Sequence, residues 1–378
     1  YEAFQKNLEK QYQAYYDLKY SSATVSLPQI QNQLDEKTAM LSYVIGEQHF
    51  YIFTITKNSI FLESRVKNRD FEDNITFLIN AIRFSSYKPF SKMAYQLYQE
   101  LFPTKNLAQI KNLVIIQDGK LSVLPMEVLL SKRISKKDDG KDFSKLPYLI
   151  LEKSFGYAYS ATLWYQNIGR NKQSEQGVAL IAPVNFTGNI SQLPATEQEV
   201  SEIAMICRQR KFKVNTLLKE DAQEAMLKKL NLKDFSVLHF ATHGLVDEEN
   251  PELSQVFLGA NEQEDGNLFA GEIFNLRLNA DLVTLSACEV GLGKLTKGEG
   301  LIGLSRAFLY AGAKNLVVSL WKVSDESTAR LMIYFYANQF ENLNKTYAQA
   351  MREAKLSLLK DANYAKPYYW AAFVVLGK

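Results

Sequence analysis

The sequence predicts an α/β protein built on a largely parallel sheet with helices on both faces. In the second half of the chain, short runs that are apolar throughout alternate with amphipathic stretches of helical period. The runs GVALIAPV (177–184), DLVTLSA (281–287) and NLVVSLW (315–321) have the aliphatic, β-branched composition of buried strands. The apolar run 236–241 ends shortly before His243, and the run 281–287 ends directly before Cys288. Functional groups in parallel sheets gather at the carboxyl ends of the strands.

The first half of the chain has a different pattern. Residues 1–36 show helical spacing of aromatic and apolar side chains, and they form either a helix on the first domain or the last helix of an upstream helical array. Residues 37–66 predict a meander of three short strands, followed by helices over 70–84 and 91–101 and a strand over 112–117. We therefore expect a lobe of α+β character over 37–173, ending at the polar stretch 173–176.

The second domain, residues 174–378, is predicted to alternate strands and helices throughout. The predicted strands cover 177–184, 212–218, 236–241, 281–287, 315–321 and 370–376, and the predicted helices cover 196–210, 221–230, 270–276, 301–310, 325–341 and 346–360. Thr196 with Glu199, and Asp221 with Glu224, have the spacing of capping boxes at two of these helix starts.

Composition narrows the class of protein. The 378 residues are 47% hydrophobic and 22% charged, so a sizeable core is expected. A net charge of +3 argues against nucleic acid or an anionic membrane as partner.

No apolar run is long enough to cross a membrane, and the mixed-charge start is unlike a signal peptide. Two cysteines and no disulfide framework favour a reducing, cytoplasmic setting. The chain lacks an initiating Met, and we expect it to be part of something longer.

His243 and Cys288 are the candidate reactive pair. Each follows an apolar strand and precedes small residues, which suits a thiol nucleophile activated by an imidazole. Backbone N–H groups, among them that of Gly244, could hold an oxyanion. The alternative is that Cys288 is a small core hydrophobe, the usual role of a lone cysteine at a strand end.

Other polar residues favour simpler interpretations. His239, four residues before His243 on a strand, is predicted to be a hydrogen-bonded core histidine. A metal site of His239, His243 and Cys288 is disfavoured because a His-x-x-x-His pair converges on a helix, so we expect no metal and no cofactor. The glycines over 291–303 lack phosphate-loop spacing. The acidic segment 244–276 is either a solvated loop or a rim that attracts a basic substrate.

Several motifs together resemble the CHAT domain, a relative of caspases and separases that often follows tetratricopeptide repeats. The strongest are HFATHG (239–244), SACEVGLG (286–293), the segment 298–328 and the terminal YYWAAFVVLG (368–377). The segments 113–129 and 190–203 extend the resemblance in weaker form. The resemblance implies a caspase-like fold in which the first lobe is a pseudo-protease without a dyad.

The resemblance also implies a cysteine endopeptidase that cuts a specific protein partner, under control of an upstream helical-repeat region or regulator. Cys288 would be the nucleophile, His243 would protonate the leaving amine, and the N–H groups of Gly244 and Cys288 would form the oxyanion hole. Asp325 and Glu289 would bind substrate, with Asp325 recognising a basic residue before the cut. The alternative for Asp325 is a helix cap.

Two rival functions stay open on the sequence. The fold could serve as a protein-interaction scaffold whose dyad is idle or autoinhibited. Acyl transfer to a small ester or amide is the third possibility, but the sequence marks no apolar substrate pocket for it.

Overall fold

The computed structural model describes residues 24–104, 107–135, 140, 142–169, 177–186, 190–247, 249–286, 289–290 and 299–377. Several features predicted from the sequence lie outside these residues: the first 23 residues of the helical segment 1–36, the boundary at 173–176, Cys288 and the glycines over 291–298. The described part of segment 1–36 contains one helix, Leu27–Gln33. The division into domains therefore stays a prediction.

Strands and helices alternate along most of the described chain. The strands are β1 (Thr38–Ile45), β2 (His49–Thr56), β3 (Ile60–Val66), β4 (Asn112–Ile116), β5 (Ser154–Ala158), β6 (Gly177–Ala182), β7 (Lys213–Leu218), β8 (Phe235–Phe240), β9 (Gly244–Val246), β10 (Gln255–Phe257), β11 (Asn267–Phe269), β12 (Leu282–Leu285), β13 (Glu289–Val290), β14 (Asn315–Ser319) and β15 (Phe373–Leu376). The helices are α1 (Leu27–Gln33), α2 (Phe71–Arg83), α3 (Tyr87–Leu101), α4 (Ala161–Gly169), α5 (Ala195–Gln209), α6 (Glu224–Lys229), α7 (Ala270–Ile273), α8 (Glu299–Ala311), α9 (Asp325–Glu341), α10 (Tyr347–Lys360) and α11 (Pro367–Trp370).

One eleven-stranded sheet runs through both halves of the chain, in the order β3-β2-β1-β4-β5-β15-β14-β12-β8-β6-β7. The pairs β1–β2, β2–β3 and β14–β15 are antiparallel, and the other pairs are parallel. The largely parallel sheet predicted from the apolar runs is thus confirmed. The halves meet where β15 pairs with β5, Leu376 opposite Tyr157.

A second, four-stranded sheet has the order β11-β10-β9-β13. Its strand β9 begins directly after His243, and β13 begins directly after position 288. This small sheet therefore continues from the carboxyl ends of β8 and β12, the two central strands that lead to the candidate pair.

The core contains a buried ion pair that joins the two halves. Lys355 of α10 lies 2.5 Å from Glu127, and both side chains are almost fully buried. Glu127 also accepts a hydrogen bond from the hydroxyl of Tyr157 on β5. Since an unpaired buried charge is strongly destabilising, the first half depends on a cation from the second.

Two capping boxes predicted from sequence spacing are wrong. Helix α5 begins at Ala195 with Pro194 as its N-cap, and α6 begins at Glu224 with Gln223 as its N-cap. At α5 the hydroxyl of Thr196 donates instead to the Leu193 carbonyl, 2.6 Å away. Spacing alone cannot locate a cap when tertiary partners compete for the same side chains.

Candidate active site

The strands bring the chain around His243 next to the chain around position 288. Phe240, at the end of β8, lies opposite Leu285 at the end of β12, and its carbonyl accepts the N–H of Ser286 at 2.9 Å. Further on, Leu245 of β9 lies opposite Glu289 of β13. The segments that flank His243 are therefore in register with the segments that flank Cys288 on both sides.

The orientation of His243 is set by a backbone carbonyl. Its ring is buried, with 5% exposure, and Nε2 lies 2.7 Å from the carbonyl oxygen of Ser191. A carbonyl oxygen only accepts, so Nε2 carries a proton, and whenever the ring is neutral Nδ1 holds the lone pair. The Phe186 ring packs against the imidazole in a T-shaped arrangement, with 4.9 Å between centroids. Sequence reasoning did not identify Ser191 or Phe186.

The backbone of Gly244 is oriented away from strand β10. Phe257 donates its N–H to the carbonyl of His243, and the next residue pair in the ladder is Gly244 opposite Val256. Antiparallel pairs alternate between bonded and non-bonded, so the Gly244 N–H does not bond β10. This leaves it oriented toward the side of β9 that carries β13.

A cavity of about 360 Å³ opens beside His243. One wall is aromatic and includes Trp321, whose indole N–H donates to the Tyr368 carbonyl at 3.1 Å. The cavity is lined by Ser191, Gln192, Leu193, Thr196, His243, Ser286, Ser319, Trp321, Lys322, Val323, Ser324, Asp325, Thr328, Tyr368 and Phe373. Among the described residues, none from the acidic segment 244–276 lines it.

Asp325 contributes a carboxylate to this cavity and is not the helix cap. Ser324 is the N-cap of α9, where its hydroxyl accepts the N–H of Ser327. The Asp325 carboxylate instead accepts the N–H of Ala195, at the start of α5, at 2.8 Å. Burial raises the pKa of Asp325, and the nearby Glu199 carboxylate adds to the rise, while the Ala195 N–H and the nearby His243 imidazole oppose it.

A buried polar network lies behind the cavity. The carboxylate oxygen Glu199 Oε1 accepts hydrogen bonds from His239 Nε2 at 2.8 Å and from Ser286 Oγ at 2.7 Å. His239 Nδ1 lies 3.2 Å from the Tyr336 hydroxyl, which lies 2.9 Å from the Thr284 hydroxyl. Burial raises the pKa of Tyr336 well above its usual range, so its hydroxyl keeps the proton that it donates. The prediction that His239 is a hydrogen-bonded core histidine is confirmed.

Three carboxylates elsewhere lie close enough together to suggest a metal site: Glu224, Glu264 and Glu272. The ammonium of Lys228 lies among them, at 2.7, 2.9 and 2.7 Å respectively. The lysine ammonium therefore already binds all three carboxylates, and the group gives no reason to assign a metal. Two of its members belong to the acidic segment and thus serve the local fold.

The fold and the paired strand ends define a caspase-like α/β protein. A family model described as the CHAT domain matches residues 91–378, and the chain belongs to the CHAT domain family. Within the described residues, no helix is long and apolar enough to span a membrane.

The chain is similar to tetratricopeptide repeat protein 28 of Mus musculus and of Homo sapiens, with 32% identity over 110 residues in each. The match covers 29% of this chain and 4% of each relative. The chain is also similar to a structure of the Saccharomyces cerevisiae separase-securin complex, with 12% identity and a TM-score of 0.54. That match covers 92% of this chain and 31% of the other chain, and it shows the fold alone.

Proposed function

We propose that the chain is a cysteine endopeptidase in which Cys288 is the nucleophile and His243 is the acid–base group. The observation that carries the proposal is the register of the strand ends. Phe240 with Ser286, and Leu245 with Glu289, fix the backbone on both sides of the two reactive residues. Two segments held together in this way suit a thiol and an imidazole that exchange a proton.

The protonation of His243 suits this reaction. With its proton on Nε2 bonded to Ser191, the neutral ring would take the thiol proton of Cys288 through Nδ1. The thiolate would then attack the peptide carbonyl, while the N–H groups of Gly244 and Cys288 hold the oxyanion. His243 would return the proton to the leaving amine, and water would hydrolyse the acyl-enzyme to release the acid and the thiol.

We also propose that the cavity binds a basic side chain next to the cut bond. Asp325 Oδ2 already accepts the Ala195 N–H, so Oδ1 is the atom that we assign to the guanidinium or ammonium group. The wall of Trp321, Tyr368 and Phe373 would pack on the aliphatic stem of the substrate residue. Glu289 stays in this proposal as a second substrate contact.

The partner that fits this site is a protein segment. An upstream helical-repeat region as a regulator is consistent with the likeness to tetratricopeptide repeat protein 28, of which the chain matches only 4%. A cytoplasmic setting and a first lobe that acts as a pseudo-protease belong to the same proposal.

The test is cleavage of a positional-scanning peptide library by wild-type and Cys288→Ala protein. Cleavage after Lys or Arg that disappears in the variant is the expected result. Cys207→Ala is the matched control and should keep activity, since burial raises the pKa of that thiol to about 12 and keeps it unreactive. Cleavage that persists in Cys288→Ala would refute the assignment, and a wild-type protein that cuts nothing, even with its upstream region, would favour the scaffold.

A further inference from the structure

The loop between β6 and α5 begins with a strained turn. Val184 has φ of +63°, and the N–H of Asn185 bonds the Pro183 carbonyl two residues back at 2.6 Å. A β-branched residue rarely adopts this conformation, and Val184 is nevertheless almost fully buried. Backbone strain of this kind persists only where the surrounding contacts enforce it, and it concentrates at functional sites.

The contacts that enforce it close the loop at its base. The N–H of Leu193 donates to the Val184 carbonyl at 3.0 Å. Above this bond, the side chain of Gln192 forms two hydrogen bonds with the backbone of Phe186. Its Oε1 accepts the Phe186 N–H, and its Nε2 donates to the Phe186 carbonyl, each at 2.8 Å. The side-chain amide of Gln192 thus bonds the backbone of Phe186 as a residue of a neighbouring strand would. Residues 187–189 lie outside the described part of the chain.

The bridged residues provide the contacts to His243 described above. Phe186, whose backbone is held by Gln192, packs its ring against the imidazole. Ser191, the residue before Gln192, supplies the carbonyl that accepts from Nε2. The side chain of Gln192 is exposed, so packing in the core does not hold it in place. Its two hydrogen bonds to Phe186 do.

We propose that Gln192 is a positioning residue for His243. Its two hydrogen bonds to Phe186 hold the Ser191 carbonyl and the Phe186 ring against the imidazole, and so keep the proton on Nε2 and the lone pair on Nδ1. The proposal rests on the proposed function only in giving Nδ1 a role; the positioning itself can be measured without any substrate.

The direct test is the tautomer of His243 in the full chain labelled with ¹⁵N-histidine. The chain has three histidines, and His49→Gln and His243→Gln variants assign the signals. Long-range ¹H–¹⁵N spectra are recorded at increasing pH until the imidazole signals no longer change, so that the tautomer is measured on a neutral ring. Wild-type protein should show a single Nε2–H tautomer at His243.

Gln192→Ala removes both hydrogen bonds and should give a mixture of the two tautomers. Gln198→Ala on α5, whose exposed side chain bonds only Glu202 among the described residues, is the matched control and should keep the single tautomer. Gln192→Glu keeps an acceptor for the Phe186 N–H but loses the donor. Its fraction of the Nδ1–H tautomer should lie between those of the wild-type protein and Gln192→Ala. A single Nε2–H tautomer in both Gln192 variants would overturn the proposal. If Gln192→Ala fails to fold, the spectrum of Gln192→Glu decides.

Kinetics provide the second measurement. A general base misplaced by about 1 Å can lower the rate about 100-fold, so kcat of Gln192→Ala should fall by up to about 100-fold. Because Gln192 also lines the cavity, the decisive value is kcat at saturating peptide and not KM. A protein that cuts no peptide, even with its upstream region, would count against the endopeptidase proposal, while the tautomer spectra would still decide the role of Gln192. An unchanged kcat together with an unchanged tautomer would refute the positioning role alone.

Discussion

The hydroxyl of Ser286 donates a 2.7 Å hydrogen bond to the carboxylate of Glu199, which joins the end of β12 to helix α5. Ser286 lines the cavity and lies two residues before Cys288, whereas Glu199 has no exposed surface. The same carboxylate oxygen also binds His239 of the neighbouring strand β8. One buried acid therefore ties together a helix and the two strands that lead to the candidate pair.

We predict that Glu199→Ala destabilises the fold by about 2–6 kcal/mol, because it leaves two buried hydrogen-bond donors without an acceptor, at about 1–3 kcal/mol each. His239 and Ser286 would lose their shared acceptor. Glu199→Gln should cost less, because its amide oxygen can still accept. Chemical denaturation monitored by circular dichroism measures both changes. Glu197→Ala, on the same helix in an exposed pair with Lys219, should change stability by at most about 1 kcal/mol. Equal losses of unfolding free energy for Glu199→Ala and Glu197→Ala would show that the hydrogen bonds of Glu199 to His239 and Ser286 do not stabilise the fold.

Asp325→Asn should weaken cleavage after basic residues by roughly tenfold to a hundredfold in kcat/KM. This corresponds to the loss of a charged hydrogen bond, about 1.5–3 kcal/mol. Cleavage of peptides with a neutral residue at that position should fall far less. Glu326→Gln, next along the helix and exposed, is the control and should behave like wild type. A uniform loss across all peptides would mean that Asp325 serves the fold and not the substrate.

The pH dependence of the same reaction follows from the raised pKa of Asp325. Because burial raises that pKa, the carboxylate becomes protonated at a higher pH than an ordinary aspartate, for which the pKa is about 3.9. Cleavage after Lys or Arg should therefore decline earlier, on lowering the pH, than cleavage after a neutral residue. The ratio of the two kcat/KM values against pH isolates this effect from the titration of the dyad. A ratio independent of pH would count against Asp325 as the anion.

Lys355→Met should destabilise the protein by about 3–5 kcal/mol, since it leaves Glu127 buried and unpaired. The double variant Glu127→Gln with Lys355→Met should recover most of the loss, because the amide can still accept from Tyr157. Denaturant unfolding of both variants tests the pair. Lys360→Met, exposed at the end of α10, should stay within about 0.5 kcal/mol of wild type. A double variant no more stable than Lys355→Met would show that the unpaired charge of Glu127 is not the cause of the loss in stability.

Much of the fold could be predicted because strands and helices in a parallel sheet leave strong patterns. Buried strands such as β6, β12 and β14 are apolar along their whole length, so their position and type follow from composition. The order of elements then placed His243 at the carboxyl end of a strand. Helix starts were predicted less well, because a carboxylate such as Glu199 has the spacing of a cap and yet binds buried tertiary partners.

The contacts that orient His243 could not be predicted from the sequence. A backbone carbonyl such as that of Ser191 is present at every residue, so it leaves no signal in residue type. Gln192 is one of several glutamines in polar surroundings, and only the folded loop shows that its amide bonds Phe186. The role of Asp325 was ambiguous for a related reason, since position beside Ser324 does not reveal which of the two side chains caps the helix.

The place of β15 in the sheet has a consequence for how the protein is made. This strand separates β5 from β14, and its first residue, Phe373, also lines the cavity. A nascent chain that still lacks Phe373–Leu376 has no strand between β5 and β14, so the two halves of the sheet cannot form one continuous ladder. Assembly of the cavity therefore has to wait until synthesis has passed these residues, so a chain stalled on the ribosome before Phe373 cannot carry a finished site.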